Sequence, residues 1–125
     1  MAESTAPRPL SASILVVEDD ALIGISLVGY LEELGANVTW SVTVEDALAI
    51  IGKPPLIDIA IVDLNISGVM SDPVIDLLIS KDVPILLCTG YEVANIAGRF
   101  RSLPRCEKPF TRLKIRSLLK EHIRS

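Results

Sequence analysis

Ser13-Ile14-Leu15-Val16-Val17-Glu18-Asp19-Asp20 is an aliphatic run rich in β-branched residues that breaks off into three consecutive acids. A run this short and this apolar suits a strand buried on both faces, as in a parallel sheet. The same pattern returns downstream. Ile57 to Val62 is a second aliphatic run ending in Asp63, and Val83 to Cys88 is a third, ending at Thr89-Gly90. Val38, Trp40 and Val42 alternate with polar residues as in a half-buried strand, and Leu103 to Glu107 reads as a weak last strand.

Helical patterns fill the gaps between these runs. Leu22, Ile23, Leu27, Tyr30, Leu31 and Leu34 recur at helical spacing before Gly35. Thr43 with Asp46 resembles an N-terminal capping pair for a helix that buries Val44, Ala47, Leu48 and Ile51 and stops at Gly52. Asp72-Pro73 reads as a cap with proline at the first helical position, ahead of Val74, Ile75, Leu77, Leu78 and Ile79. Tyr91 to Ala97 suits one short helix. Thr111 to Arg124 suits a last one, burying Leu113, Ile115, Leu118, Leu119 and Ile123.

Five strands alternating with five helices predict an α/β fold, a doubly wound five-stranded parallel sheet with helices on both faces. The 125 residues make one domain, with residues 1–12 as a loose tail and residues 13–125 as the folded unit. The chain is 50% hydrophobic and only 4% aromatic, which excludes disorder and predicts an aliphatic core. It has no run long enough to span a membrane and no signal-peptide pattern, and its two cysteines suit free thiols in the cytoplasm. Residues 1–98 carry 14 acids and 3 bases, a net of −11, whereas residues 99–125 carry 2 acids and 9 bases, a net of +7. The two parts are suited to different partners.

In open parallel sheets the site forms outside the carboxyl ends of the strands. Glu18, Asp19, Asp20, Asp63, Thr89 and Lys108 all fall at such ends. Carboxylates brought together repel one another and resist desolvation, and a divalent cation relieves both costs. All the available donors are hard oxygens, which favours Mg²⁺. Asp63 can attack phosphorus as a carboxylate nucleophile, Lys108 can contact a phosphoryl oxygen as a point charge, and Thr89 can donate a hydroxyl.

The strand Ile14–Val17 with Glu18-Asp19-Asp20, the strand Ile59–Val62 with Asp63-Leu64-Asn65, Thr89-Gly90, and Lys108-Pro109-Phe110 together resemble the receiver domain of bacterial two-component response regulators. The resemblance spans residues 12–124 and implies a flavodoxin-like sheet of strand order 2-1-3-4-5. It implies that Asp63 accepts a phosphoryl group from a sensor histidine kinase or a histidine phosphotransfer protein. Asp19, Asp63 and the Asn65 carbonyl would bind Mg²⁺, with Glu18 assisting through water. Thr89 and Lys108 would sense the phosphoryl group, and the Lys108–Pro109 bond would be cis. The chain stops after the last helix, so the resemblance is to a single-domain regulator. Its output would be contact with a downstream protein effector or consumption of phosphoryl groups in a phosphorelay, without catalytic turnover of a separate substrate.

Two features depart from the family pattern. Arg105 stands where receivers place the aromatic of their switch, with Tyr91 as a candidate substitute. The Thr89–Lys108 segment is also short by about one helical turn. The Thr-Gly-Tyr run and the loop from Asp63 to Pro73 loosely resemble the FAT GUY group of single-domain regulators, although Leu87-Cys88 replaces the Phe-Ala of that name. A pseudo-receiver binding module is one alternative. A phosphatase of the haloacid-dehalogenase kind is another, but it needs a second Asp where Asn65 stands, and a longer chain.

Arg112, Arg116, Lys120 and Arg124 form a basic stripe on the last helix, either a solvated face or a docking stripe for an acidic protein partner. Nucleic acid is disfavoured by the acidity of the rest of the chain, and no membrane partner is implied. Cys88 and Cys106 read as buried, inert thiols, and His122 as a surface residue.

Overall fold

The computed structural model describes residues 11–90 and 98–123. The expected short helix at 91–97, with Tyr91, lies outside the described residues, as do Arg124 and most of the expected tail. Five parallel strands form one sheet: β1 (Ser13–Val17), β2 (Asn37–Ser41), β3 (Ile59–Asp63), β6 (Ile85–Thr89) and β7 (Arg105–Glu107). Their order is β2-β1-β3-β6-β7. This matches the expected 2-1-3-4-5 order once the small antiparallel pair β4 (Asn65–Ile66) and β5 (Val69–Met70) is set aside. That hairpin has no aliphatic run to announce it. It is two residues long on each side and turns at Ser67 and Gly68, with φ of +53° and +83°.

Four α-helices lie among the described residues: α1 (Ala21–Glu33), α2 (Val44–Ile51), α3 (Asp72–Ser80) and α4 (Arg112–His122). Strand side chains alternate between two cores. Leu15, Val17, Ala60, Val62, Ile85 and Leu87 pack under α2 and α3, with Ala47, Ile75, Leu78 and Phe100. Ile14, Val16, Ile59, Ile61, Leu86 and Cys88 pack under α1 and α4, with Leu27, Leu31, Ile115 and Leu119. Both faces of β1, β3 and β6 are therefore dry, which is why their sequences read as unbroken aliphatic runs.

Helix ends follow local chemistry. Asp20 caps α1 by accepting from the Ile23 N–H at 3.0 Å, and Thr43 caps α2 by accepting from the Asp46 N–H at 3.0 Å. The expected cap at Asp72 is corrected: Ser71 is the N-cap of α3 and Asp72 lies in the first turn. The Ser71 hydroxyl makes no capping bond and donates instead to the Leu64 carbonyl at 3.1 Å, tying α3 to the end of β3. Leu113 and Leu22, expected in the buried stripes of their helices, are 74% and 82% exposed. Each lies in the first turn of its helix, ahead of the residues that the helix buries, which begin at Gly24 in α1 and Ile115 in α4.

Candidate functional site

The carboxyl ends of β1, β3, β6 and β7 place Glu18, Asp63, Thr89 and Lys108 at one edge of the sheet. Lys108 Nζ lies 2.7 Å from Asp63 Oδ2 and 2.9 Å from Glu18 Oε1. Both carboxylates are almost fully buried, so the ammonium replaces most of the water they have lost. Glu18, Asp19 and Asp63 each present an oxygen, and the three atoms lie within 4.8 Å of one another. Asp20, the fourth acid at these ends, is spent as the α1 cap.

The backbone holds this cluster together. The Asp20 N–H donates to Glu18 Oε2 at 3.1 Å, and the Ser67 N–H donates to Asp19 Oδ2 at 2.8 Å. Asn65 donates its N–H toward Asp63 Oδ1 at 3.4 Å, and its side-chain oxygen accepts from the Gly68 N–H at 2.8 Å. The β4–β5 hairpin thus buttresses the pocket from below, a role that no sequence signal foretold. Trp40, read from the sequence as packing, donates from Nε1 to the Glu18 carbonyl at 2.9 Å.

The environment moves the titrations in opposite directions. Burial pushes Glu18 above its ordinary range, and the bond from Lys108 offsets only part of this. Burial also pushes Asp19 up, but the Ser67 N–H and its other hydrogen bonds outweigh burial and leave it below the ordinary range. Burial disfavours the Lys108 ammonium, yet its bonds to Asp63 and Glu18 prevail and hold it charged, with its pKa raised. Thr89 is fully buried, and its hydroxyl has no hydrogen-bond partner among the described residues. Its carbonyl accepts from the Lys108 N–H at 2.7 Å. A buried orphan hydroxyl beside a carboxylate–ammonium pair is suited to a ligand oxygen.

The donor set fits Mg²⁺: two carboxylates ending adjacent central strands, a third one residue after Glu18, and no soft ligand among them. The Lys108–Pro109 bond is cis. Arg105 is exposed on β7, on the outer edge of the sheet. In the basic stripe, Arg112 is bonded to Glu33 of α1 at 3.2 Å and lies over the Tyr30 ring, while Lys120 is exposed and Arg116 half-buried. Cys88 and Cys106 are register partners on β6 and β7, both buried. No helix among the described residues is long and apolar enough to cross a membrane.

No family model matches the chain, and no curated protein matches it. Solved structures do. SdrG from Sphingomonas melonis Fr1 is 36% identical over 88% of this chain and 94% of its own, with a TM-score of 0.78. A chain from Chloroflexus aurantiacus J-10-fl, assigned as a response regulator, is 26% identical over 89% of this chain and 96% of its own, with a TM-score of 0.77. The response-regulator REC domain of PhyR from Erythrobacter litoralis is 24% identical over 89% of this chain and 88% of its own, with a TM-score of 0.76. With the flavodoxin-like order of its sheet and this relative of 36% identity, the chain belongs to the receiver domains of two-component response regulators.

Proposed function

We propose that the folded unit, residues 13–125, accepts a phosphoryl group on Asp63 from a histidine kinase or a histidine phosphotransfer protein and passes the signal on by protein contact. The observation that carries this reading is the Lys108–Asp63 pair at 2.7 Å beside the orphaned Thr89 hydroxyl. One Asp63 oxygen is held by Lys108, and among the described residues the other has only the long contact from Asn65. That second oxygen is placed to attack phosphorus. A P–O bond forms, the P–N bond of a phosphohistidine breaks, and the imidazole leaves with the electron pair and takes up a proton. Lys108 then pairs with a phosphoryl oxygen, and Thr89 donates its hydroxyl to another. Mg²⁺, held by Asp19, Asp63 and the Asn65 carbonyl with Glu18 behind them, would neutralise phosphoryl charge.

In this reading the partner contacts the surface beside Lys108. A groove of about 570 Å³ between α1 and α4 opens beside Lys108 and is lined by Leu22, Leu27, Tyr30, Phe110 and Ile115. Arg112 lines it on the α4 side, and Arg116 and Lys120 continue the basic stripe along the same helix. Tyr91 and Arg105 belong in sequence to the segment 91–107, which Thr89 and Lys108 flank and which a phosphoryl group on Asp63 would bias.

The test is intact-protein mass after incubation with acetyl phosphate and Mg²⁺, beside Asp63→Asn. One added phosphoryl group, lost in the variant and without metal, is expected. SdrG has been solved in a BeF3-activated conformation, 36% identical to this chain with a TM-score of 0.72, so BeF₃⁻ is a stable second probe. Failure of both adducts would leave the pseudo-receiver reading.

A further inference from the structure

Trp40 is the only tryptophan of the chain, and it lies at the end of β2, outside the carboxylate cluster. Its indole N–H donates to the Glu18 carbonyl at 2.9 Å. That carbonyl shares a rigid peptide plane with the Asp19 N–H, so fixing the carbonyl fixes how the chain enters Asp19. The preceding peptide is held from the same strand, because the Glu18 N–H donates to the Ser41 carbonyl at 3.1 Å. Adjacent residues of β2 therefore grip both peptide planes that flank Glu18.

The indole reaches this position across α1 at Gly24. A Cβ on Gly24 would stand 2.5 Å from Trp40 Cε2 and 2.9 Å from Cη2, closer than van der Waals contact allows. Gly24 is the fourth residue of α1 and has no positive φ, so conformation does not call for glycine there. The space taken by the indole does. Two residues far apart in the chain thus serve one contact, and that contact ends on the backbone of the acidic pocket.

We propose that Trp40 is a positioning residue for the Mg²⁺ pocket, with Gly24 as the seat that lets its indole reach the Glu18 carbonyl. The inference rests on reading Glu18, Asp19 and Asp63 as that pocket. Trp40 touches neither metal nor phosphoryl group. It sets the direction in which Glu18 and Asp19 leave β1, and so how their carboxylates converge on Asp63.

The test is calorimetric titration with MgCl₂ of the wild type, Trp40→Phe, Gly24→Ala and the double variant. The wild-type indole N–H resonance is followed through the same titration. Trp40→Phe keeps an aromatic side chain on the same core but removes the pyrrole part of the indole with its N–H donor, and circular dichroism checks that the fold persists. Each single variant is expected to bind Mg²⁺ about tenfold more weakly, as for partners one step removed from a ligand. The double variant should be no weaker than the poorer single one, since both changes remove one contact. The indole resonance should move with the calorimetric midpoint. A folded Trp40→Phe with wild-type affinity, or losses that multiply in the double variant, would overturn the positioning role and leave the pocket intact. A folded wild type that takes up no Mg²⁺ would overturn the pocket reading itself, and this inference with it. Should Trp40→Phe fail to fold, Gly24→Ala decides by the same outcomes, because alanine favours the helix it enters.

Discussion

Lys108 Nζ stands 2.7 Å from Asp63 Oδ2 although 45 residues separate the two in the chain. The pair joins the ends of β3 and β7, strands that are not neighbours, across the end of β6. It also bridges to Glu18 of β1, so one ammonium holds three strand ends together.

Replacing Lys108 with Met would leave Glu18 and Asp63 as buried carboxylates without their cation. Losing one partner of a buried pair costs about 3–5 kcal/mol, and partial access of solvent to Lys108 lowers that to about 2 kcal/mol. Urea unfolding at neutral pH without metal should show this loss. Added Mg²⁺ should recover part of it by binding the folded state alone. An unchanged midpoint would mean that the pair contributes nothing net.

α4 offers a packing contrast within one turn. Ile115 is 1% exposed and Leu113 is 74% exposed. Ile115→Ala should cost about 2–4 kcal/mol, whereas Leu113→Ala should stay within about 0.5 kcal/mol. Chemical denaturation of the two variants checks the helix register, and equal losses would contradict it.

Asp76 accepts two hydrogen bonds from the Arg99 guanidinium, at 3.2 and 2.9 Å. The guanidinium holds the Asp76 carboxyl below its ordinary value of 3.8. A carboxyl lowered in the folded state binds its proton more weakly there than in the unfolded chain. Its contribution to stability is therefore full above 3.8 and fades as pH falls through the lowered value. Carbon-detected titration of Asp76 should find the lowered midpoint, and Arg99→Gln should return it to the ordinary range.

Both thiols should be inert while the protein is folded. Burial pushes the Cys88 thiol far up, the neighbouring Cys106 adds to this, and burial also raises Cys106. Little thiolate forms at neutral pH, and neither sulfur is open to solvent. A disulfide reagent should label neither cysteine in native buffer and both in denaturant. Prompt native labelling would place a thiol at the surface.

The sequence by itself determined the architecture and which residues end the strands. Aliphatic runs such as Ile14–Val17 and Ile59–Val62 report burial on both faces, and burial on both faces in alternation with helices leaves one architecture open. Since every strand then points the same way, the acids that end the runs have to share an edge. Local caps at Asp20 and Thr43 were legible for the same reason, since their partners lie within three residues. Only the tertiary structure decided the supports of that edge. The Ser67 N–H meets Asp19 across 48 residues, Trp40 meets Glu18 across 22, and the Ser71 hydroxyl donates to the Leu64 carbonyl rather than capping α3. Periodicity records which side of an element is dry. It carries no trace of a single hydrogen bond between distant loops, because that bond depends on where two independently formed elements come to rest.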